Sequence, residues 1–529
     1  MRLPLLFPLS WMLSLAIAFS PAHAPAAEAL YQNPVIPGDY PDPSVIRVGN
    51  DFWATATSSE WGPQFPILHS TDLVNWDLAG SVFPHRPQWA VANFWAPEIS
   101  EHRGKYFVYY VGRKKGGPLA VSVATADQPA GPYTDHGPLV AQPAGSIDPV
   151  PVTDEKGKRF LIWKEDGNSR RLPAILWLQP LSDDGLKLVD EPREILRNDA
   201  PWEGAVVEGP FVVHRGDWFY LFYSGNGCCG RGCSYAMGVA RAKSLLGPWE
   251  KNSANPILAG NEQWKCPGHG SITDDGKGHY WLLYHAYSAT DFIYTGREAL
   301  LDEVKFREDH WPEINDGRGP SAVSLVPFAA IQQRNFGAKR RYEFVDEFTG
   351  KLMSPGWQWP QENEPKYEFA TNGSPGFLLR PNDSKGTNLL AAILARSTTS
   401  GDYEATVILE NPDGGVAAGI AVVGDEANAT GLAVLDGKLI LWRRDKGTQK
   451  VLAETAAPAG GHPRLQLKAG AGHIFRFAGS ADGKSWMEIG DPQSGDQMPP
   501  WDRSIRVGLT VGGRTNAAAH FDRFEMRAQ

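Results

Sequence analysis

The sequence has no long basic run, and its charge balance is acidic: 60 Asp and Glu stand against 51 Lys and Arg, for a formal net charge of −9. A nucleic-acid partner would need a concentrated positive face, so this balance argues against one. Beyond the N-terminus no apolar stretch is long enough to span a bilayer. No nucleotide, flavin or heme motif is present, so no cofactor is expected to be required. Cysteine is scarce. The four residues, Cys228, Cys229, Cys233 and Cys266, sit close together. Long stretches of helical periodicity are also few.

The first residues form the exception to the lack of apolar runs. Arg2 precedes a mostly apolar stretch from Leu3 to Phe19, followed by the small residues of "SPAHAPAAEA". This is the pattern of a signal peptide, with residues 1–26 removed after Ala26. A membrane anchor is the competing reading. No cysteine lies near the cleavage region, which argues against a lipid-anchored form. The expected mature protein is secreted or periplasmic, with no membrane association after cleavage. In that setting an even, clustered set of cysteines points to two disulfides. The spacing in "CCGRGC" matches no standard zinc motif, and the connectivity is not readable.

Short β-rich runs divided by Gly, Pro, Asp and Asn fill residues 30–328. Five of them resemble one another: "GNDFWATATS", "RGKYFVYYVG", "KGKRFLIWKED", "RGDWFYLFYSG" and "KGHYWLLYHAY". Their first aromatic residues, Phe52, Tyr106, Phe160, Trp218 and Tyr280, are spaced 54, 54, 58 and 62 residues apart. That period suits the four-stranded blades of a propeller. The fold expected is all-β: a five-bladed β-propeller over residues 30–328, followed by a β-sandwich over 341–529. Alternating runs such as "YEATVILE" and "GLAVLDGKLILWRR" support the sandwich.

Each repeated strand has an ionisable residue 8 to 12 positions before its first aromatic: Asp42, Glu98, Asp148, Glu208 and His269. Each is followed closely by Pro or Gly, in "PDPS", "APEIS", "IDPVP", "VEGPF" and "PGHGS". The first strand of a propeller blade lines the central channel, so these groups are expected to converge on one axis. Carboxylates held close together raise one another's pKa, an arrangement suited to acid–base chemistry. Turn-forming residues on blade edges are the competing reading, and matched offsets in all five repeats argue against it. The chain also carries 19 Trp, residues that stack on sugar faces or fill cores. Trp95 and Trp202 flank the carboxylates and are candidate walls of a sugar pocket, with core packing the alternative.

Taken in order, "NPVIPGDYPDPSVIRVGNDFW", "WAPEI", "SIDPVP", "VEGPFV" and the closing "GRE" with "DHWPEIN" resemble glycoside hydrolase family 43 over roughly residues 31–328. The resemblance implies Asp42 as general base, Glu208 as general acid, and Asp148 as the residue that raises the acid's pKa and orients it. It implies inversion, with the two carboxyl groups about 6.5–9.5 Å apart. It also implies that Arg297 contacts sugar hydroxyls, and that His269 contacts substrate or borders a channel calcium through water. Asp39 and Glu203 are nearby rivals to Asp42 and Glu208, disfavoured by the "DPS" and "EGP" contexts. The C-terminal third resembles the concanavalin-like modules of this family, which pack on the propeller and lend a loop to the pocket. The insert "SGNGCCGRGCS" departs from the commonest family pattern, and its loop is placed to shape the pocket rim.

The function this implies is a secreted, inverting, exo-acting hydrolase. It would remove α-L-arabinofuranosyl or β-D-xylosyl residues from a carbohydrate polymer or oligosaccharide. Endo-arabinanase or galactofuranosidase action is the alternative within the family, and a non-catalytic glycan-binding propeller the alternative outside it.

Overall fold

The computed structural model describes Met1 and residues 29–327, 342–370, 376–382, 388–412 and 414–529. The expected signal peptide lies outside the described residues except for Met1, and so does most of the expected linker between the two units.

Five four-stranded antiparallel sheets account for the first unit. Their first strands are Ser44–Val48, Ala90–His102, Ser146–Thr153, Val207–Arg215 and Trp264–Asp274. Each packs beside the next, and the fifth packs beside the first, so the sheets close into a propeller around a central channel. Strand Leu30–Gln32 pairs with Val323–Leu325 and ties the two ends of this ring together.

The five similar segments are the second strands of these sheets: Asp51–Thr55, Lys105–Lys114, Arg159–Glu165, Trp218–Gly225 and Tyr280–Ser288. Most of them read as continuous apolar runs rather than alternating ones because neighbouring blades cover both faces. Phe107 and Tyr109 pack toward the third sheet, whereas Val108 and Tyr110 pack toward the first.

The second unit is a sandwich of a nine-stranded and a six-stranded sheet. Strand Tyr403–Leu409 alternates buried and half-buried residues, as a strand with one face on the core must. Phe377, Leu394, Val407, Ile420, Phe477, Val507 and Phe521 fill the space between the sheets.

Propeller and sandwich are joined by more than the connecting segment. Trp359 and Pro360 pair antiparallel with Gly62 and Trp61. The Trp61 side chain is buried among Ile393, Ala421 and Trp442 of the sandwich. Asp39 of the propeller forms an ion pair with Arg506 of the sandwich at 3.1 Å, with 3% and 2% of the side chains exposed.

Candidate active site

A shared backbone device aims side chains into the channel. Asp42, Ala96, Asp148, Gly209 and His269 all have positive φ, between 37° and 56°. Each is followed by Pro43, Pro97, Pro149, Pro210 or Gly270. The ladders of the second to fifth sheets shift register here, between Trp95 and Glu98, Ile147 and Val150, Glu208 and Phe211, and Lys265 and Gly270. These are bulges, which re-aim a side chain at the expense of one ladder position. Proline suits the interrupted position because it has no N–H to leave unpaired. Gly209 has a second constraint: a Cβ there would lie 2.8 Å from Cγ of His269.

Three carboxyl groups meet in the channel in different surroundings. Asp42 Oδ1 accepts from Arg297 Nη1 at 3.0 Å, and Oδ2 accepts from Thr57 Oγ1 at 2.7 Å. Burial disfavours its charge, but Arg297 above all, with His269, outweighs burial and holds the carboxyl well below the usual range. Asp42 is therefore ionised. Its own N–H donates to His285 Nδ1 at 3.0 Å. That ring nitrogen is an acceptor, so the imidazole is neutral, in keeping with a pKa that burial lowers to about 4.

Asp148 Oδ2 accepts from the Gly209 N–H at 2.9 Å. Its pKa is raised to about 6, first by burial and then by the charges of Glu208 and Asp42, with His269 and Lys164 opposing. Glu208 is held at both oxygens: Oε1 accepts from the Tyr235 hydroxyl at 2.8 Å and Oε2 from Lys164 Nζ at 2.7 Å. Burial alone would raise its pKa, but Lys164, Tyr235 and His269 together bring it below the usual value. Lys164 is 1% exposed and also pairs with Asp166 at 3.1 Å. His269 Nδ1 faces Asp42 Oδ1 at 3.4 Å and Asp148 Oδ2 at 3.9 Å.

Asp42, Asp148, Lys164, Glu208, His269 and Arg297 line a cavity of about 500 Å³ that also includes Trp95, Asn168, Trp501 and Asp502. The last two belong to the sandwich. Arg297 Nη2 donates to the Asp502 carbonyl at 3.0 Å, so one guanidinium bridges the channel carboxylate and the sandwich loop. Trp501 meets Trp95 edge to face, with ring centroids 5.9 Å apart.

A buried, ionised carboxylate and two further carboxyls in one sugar-sized cavity form the apparatus for hydrolysing a glycosidic bond. The sequence pattern of "Glycosyl hydrolases family 43" matches residues 31–312, which is the propeller. The chain belongs to this family. It is a glycoside hydrolase, its substrate is a carbohydrate, and inversion is typical of the family. Residues 345–527 match the "Beta xylosidase C-terminal Concanavalin A-like domain".

Among its family 43 relatives, "Xylosidase/arabinosidase 43B" of Humicola insolens is 27% identical over 402 residues, covering 72% of this chain and 71% of that one. "Beta-xylosidase" of Bacillus subtilis is 26% identical over 410 residues, covering 72% and 74%. The solved family 43 structure of BlXynB from Bacillus licheniformis is similar across both units. It has a TM-score of 0.78 at 25% identity, covering 94% of this chain and all of that one.

Within this family 43 site, Asp42, Asp148, Glu208, Trp95, Arg297 and His269 all line the cavity. Trp202 does not. It lies in the turn Pro201–Glu203 and packs on Tyr223, with ring centroids 5.6 Å apart, as part of the core between the third and fourth sheets. The expected ring of five ionisable groups is also incomplete around the cavity. Glu98 stands two residues past the bulge position, which Ala96 occupies, and it does not line the cavity. Burial raises its pKa to about 8, against a hydrogen bond from Ser44. The rivals have structural roles. Asp39 binds Arg506, and Glu203 is fully buried against Lys251 and the Tyr223 hydroxyl.

The channel carboxylates are not arranged as direct ligands of a calcium ion. That ion takes six to eight oxygens. Here the carboxylates beside His269 are engaged by Arg297, Thr57 and Gly209. No group of three or more His, Cys, Asp or Glu among the described residues is spaced to hold a metal.

The sequence reading missed Lys164, Tyr235 and His285. Lys164 and His285 sit inside repeated strands, as the ionisable members of the otherwise apolar runs "FLIWK" and "WLLYH", and that was their signal. Tyr235 ends the cysteine insert and carried none.

Proposed function

We propose that this hydrolase removes α-L-arabinofuranosyl or β-D-xylosyl residues one at a time from the non-reducing ends of polysaccharide or oligosaccharide chains, outside the cytoplasm. The observation that carries the reading is the division of labour among the three carboxyls. Asp42 is held ionised by Arg297, while the Asp148–Glu208 pair keeps a proton into weakly acidic solution. The printed names of the relatives from Humicola insolens and Bacillus subtilis support these two sugars. The sandwich loop bearing Trp501 and Asp502 supports exo action, because it walls one side of the cavity where an endo-acting enzyme needs an open groove.

In this reading Asp42 takes a proton from a water molecule as its oxygen attacks the anomeric carbon. The bond from that carbon to the leaving oxygen breaks, and Glu208 gives its proton to the departing oxygen. The released sugar has inverted configuration, Asp42 ends protonated and Glu208 ionised, and solvent restores both. Asp148 shares the proton of the acid, so the pair titrates as a unit. Arg297 holds Asp42 and meets sugar hydroxyls, and Trp95 and His269 contact the ring.

A panel of aryl α-L-arabinofuranoside, β-D-xyloside and β-D-galactofuranoside, assayed with wild type and Glu208→Gln, tests the reading. Cleavage of the first or second by wild type, with most of the rate lost in the variant on substrates with poor leaving groups, is the expected result. Cleavage of the galactofuranoside alone, or of none with natural arabinans and xylans also intact, overturns it.

A further inference from the structure

We propose that the disulfide between the adjacent residues Cys228 and Cys229 forms an apolar face of a subsite for the departing sugar ring. The proposal rests on Glu208 being the general acid.

Both disulfides are formed among the described residues, Cys228–Cys229 and Cys233–Cys266, and they do different things. Cys233–Cys266 fastens the insert to strand Trp264–Asp274, across 33 residues. Arg231 fastens it again, donating to the Tyr294 hydroxyl and to the Asp496 carbonyl of the sandwich. Cys228–Cys229 links neighbours, so it closes no loop and removes almost no freedom from the unfolded chain. A stabilising role does not account for it. What it does is present two sulfur atoms together on a small ring of fixed shape.

That ring faces the cavity. Cys228 and Cys229 both line it and are half-buried. Behind them Cys228 leans on the small apolar cluster of Tyr235, Tyr287 and Tyr294. The position relative to the chemistry is specific. The insert leaves the sheet at Asn226, two residues after Ser224, which is the cross-strand partner of Glu208. It returns at Tyr235, whose hydroxyl binds Glu208. The insert therefore brackets the proton donor, and the group that receives that proton is the one that leaves.

Trp501 completes the subsite. It is 60% exposed, a large apolar side chain left open at the mouth of a sugar cavity. The insert touches it: a Cβ on Gly230 would lie 3.3 Å from the Trp501 carbonyl oxygen and 3.7 Å from its Cα. Sulfur is polarisable and forms only weak hydrogen bonds, so a rigid disulfide matches the C–H face of a sugar ring rather than its hydroxyls. Being fixed in advance, it loses little entropy when the ring docks.

The test compares two substrates that share the cleaved sugar. One is the glycosyl fluoride, whose leaving atom is too small to occupy the subsite. The other is the matching disaccharide, β-1,4-xylobiose or α-1,5-arabinobiose. In Cys228→Ala/Cys229→Ala, with Cys233–Cys266 retained, the ratio of kcat/KM on disaccharide to kcat/KM on fluoride is expected to fall about tenfold from its wild-type value, the size of a lost apolar contact. An unchanged ratio overturns the proposal. A wild type that cleaves neither fluoride contradicts the underlying glycosidase reading instead. A second measurement does not depend on the double variant folding. In a crystal of Glu208→Gln with the disaccharide, carbons of the leaving ring are expected within about 4 Å of a sulfur of Cys228 or Cys229. A leaving ring resting elsewhere overturns the proposal.

Discussion

Lys164 Nζ lies 2.7 Å from Glu208 Oε2, so the carboxyl assigned to donate a proton is bound by a buried cation. The family resemblance pointed to Asp148 as the residue that raises the acid's pKa. In the site itself the raised carboxyl is Asp148, at about 6, and Lys164 pulls Glu208 down. Lys164 therefore favours the ionised form of the acid.

Replacing Lys164 tests that directly. Its positive charge favours the ionised forms of both Glu208 and Asp148, so Lys164→Met lets both keep a proton to higher pH. The alkaline limb of the kcat/KM profile is expected to move up by about one unit or more, the usual effect of losing a close opposite charge. A limb that stays in place or moves down contradicts this role.

Asp39 pins the sandwich loop to the site. Its Oδ2 accepts from Arg506 Nη2 and from the Ser504 N–H, both at 3.1 Å, two residues beyond the Asp502 carbonyl that Arg297 binds. Asp39→Asn leaves Arg506 buried without its counter-charge, a loss of about 3–5 kcal/mol. The variant is expected to unfold at lower denaturant concentration and to lose kcat/KM, because Trp501 and Asp502 are no longer held. Wild-type kinetics in a destabilised variant would show that the loop's place does not depend on this pair.

Trp202 separates packing from binding. As a core side chain on Tyr223, its replacement in Trp202→Ala is expected to lower stability by about 3 kcal/mol while KM stays within about twofold of wild type. A large rise in KM with little change in stability would return Trp202 to the substrate site.

Much of this architecture was legible because a propeller repeats. Five aromatic runs at a steady spacing gave the second strands. The Pro or Gly after Asp42, Asp148, Glu208 and His269 marked the bulges that aim them. The same logic misled at Glu98, since the repeat is kept by backbone conformation and Ala96, not the nearest charged residue, holds the equivalent place. Trp202 misled because a tryptophan near a catalytic motif in sequence points wherever its turn directs it. The parts that stayed hidden come from afar or from inside a strand. Trp501 and Asp502 reach the site across more than two hundred residues from Arg297. Lys164 is hidden in a strand whose other side chains are core. Which cysteines pair was equally closed to sequence, because four neighbours allow three pairings.

The central claim is that Asp42 and Glu208 act on different bonds, and one kinetic comparison tests it. Asp42→Asn and Glu208→Gln are each assayed on a natural disaccharide and on a dinitrophenyl glycoside, whose leaving group needs no proton. Asp42→Asn is expected to lose rate on both, because water is no longer activated. Glu208→Gln is expected to lose at least about a hundredfold on the disaccharide and far less on the dinitrophenyl glycoside. Equal losses on the two substrates in Glu208→Gln would contradict its assignment as the acid, and with it the account of the site.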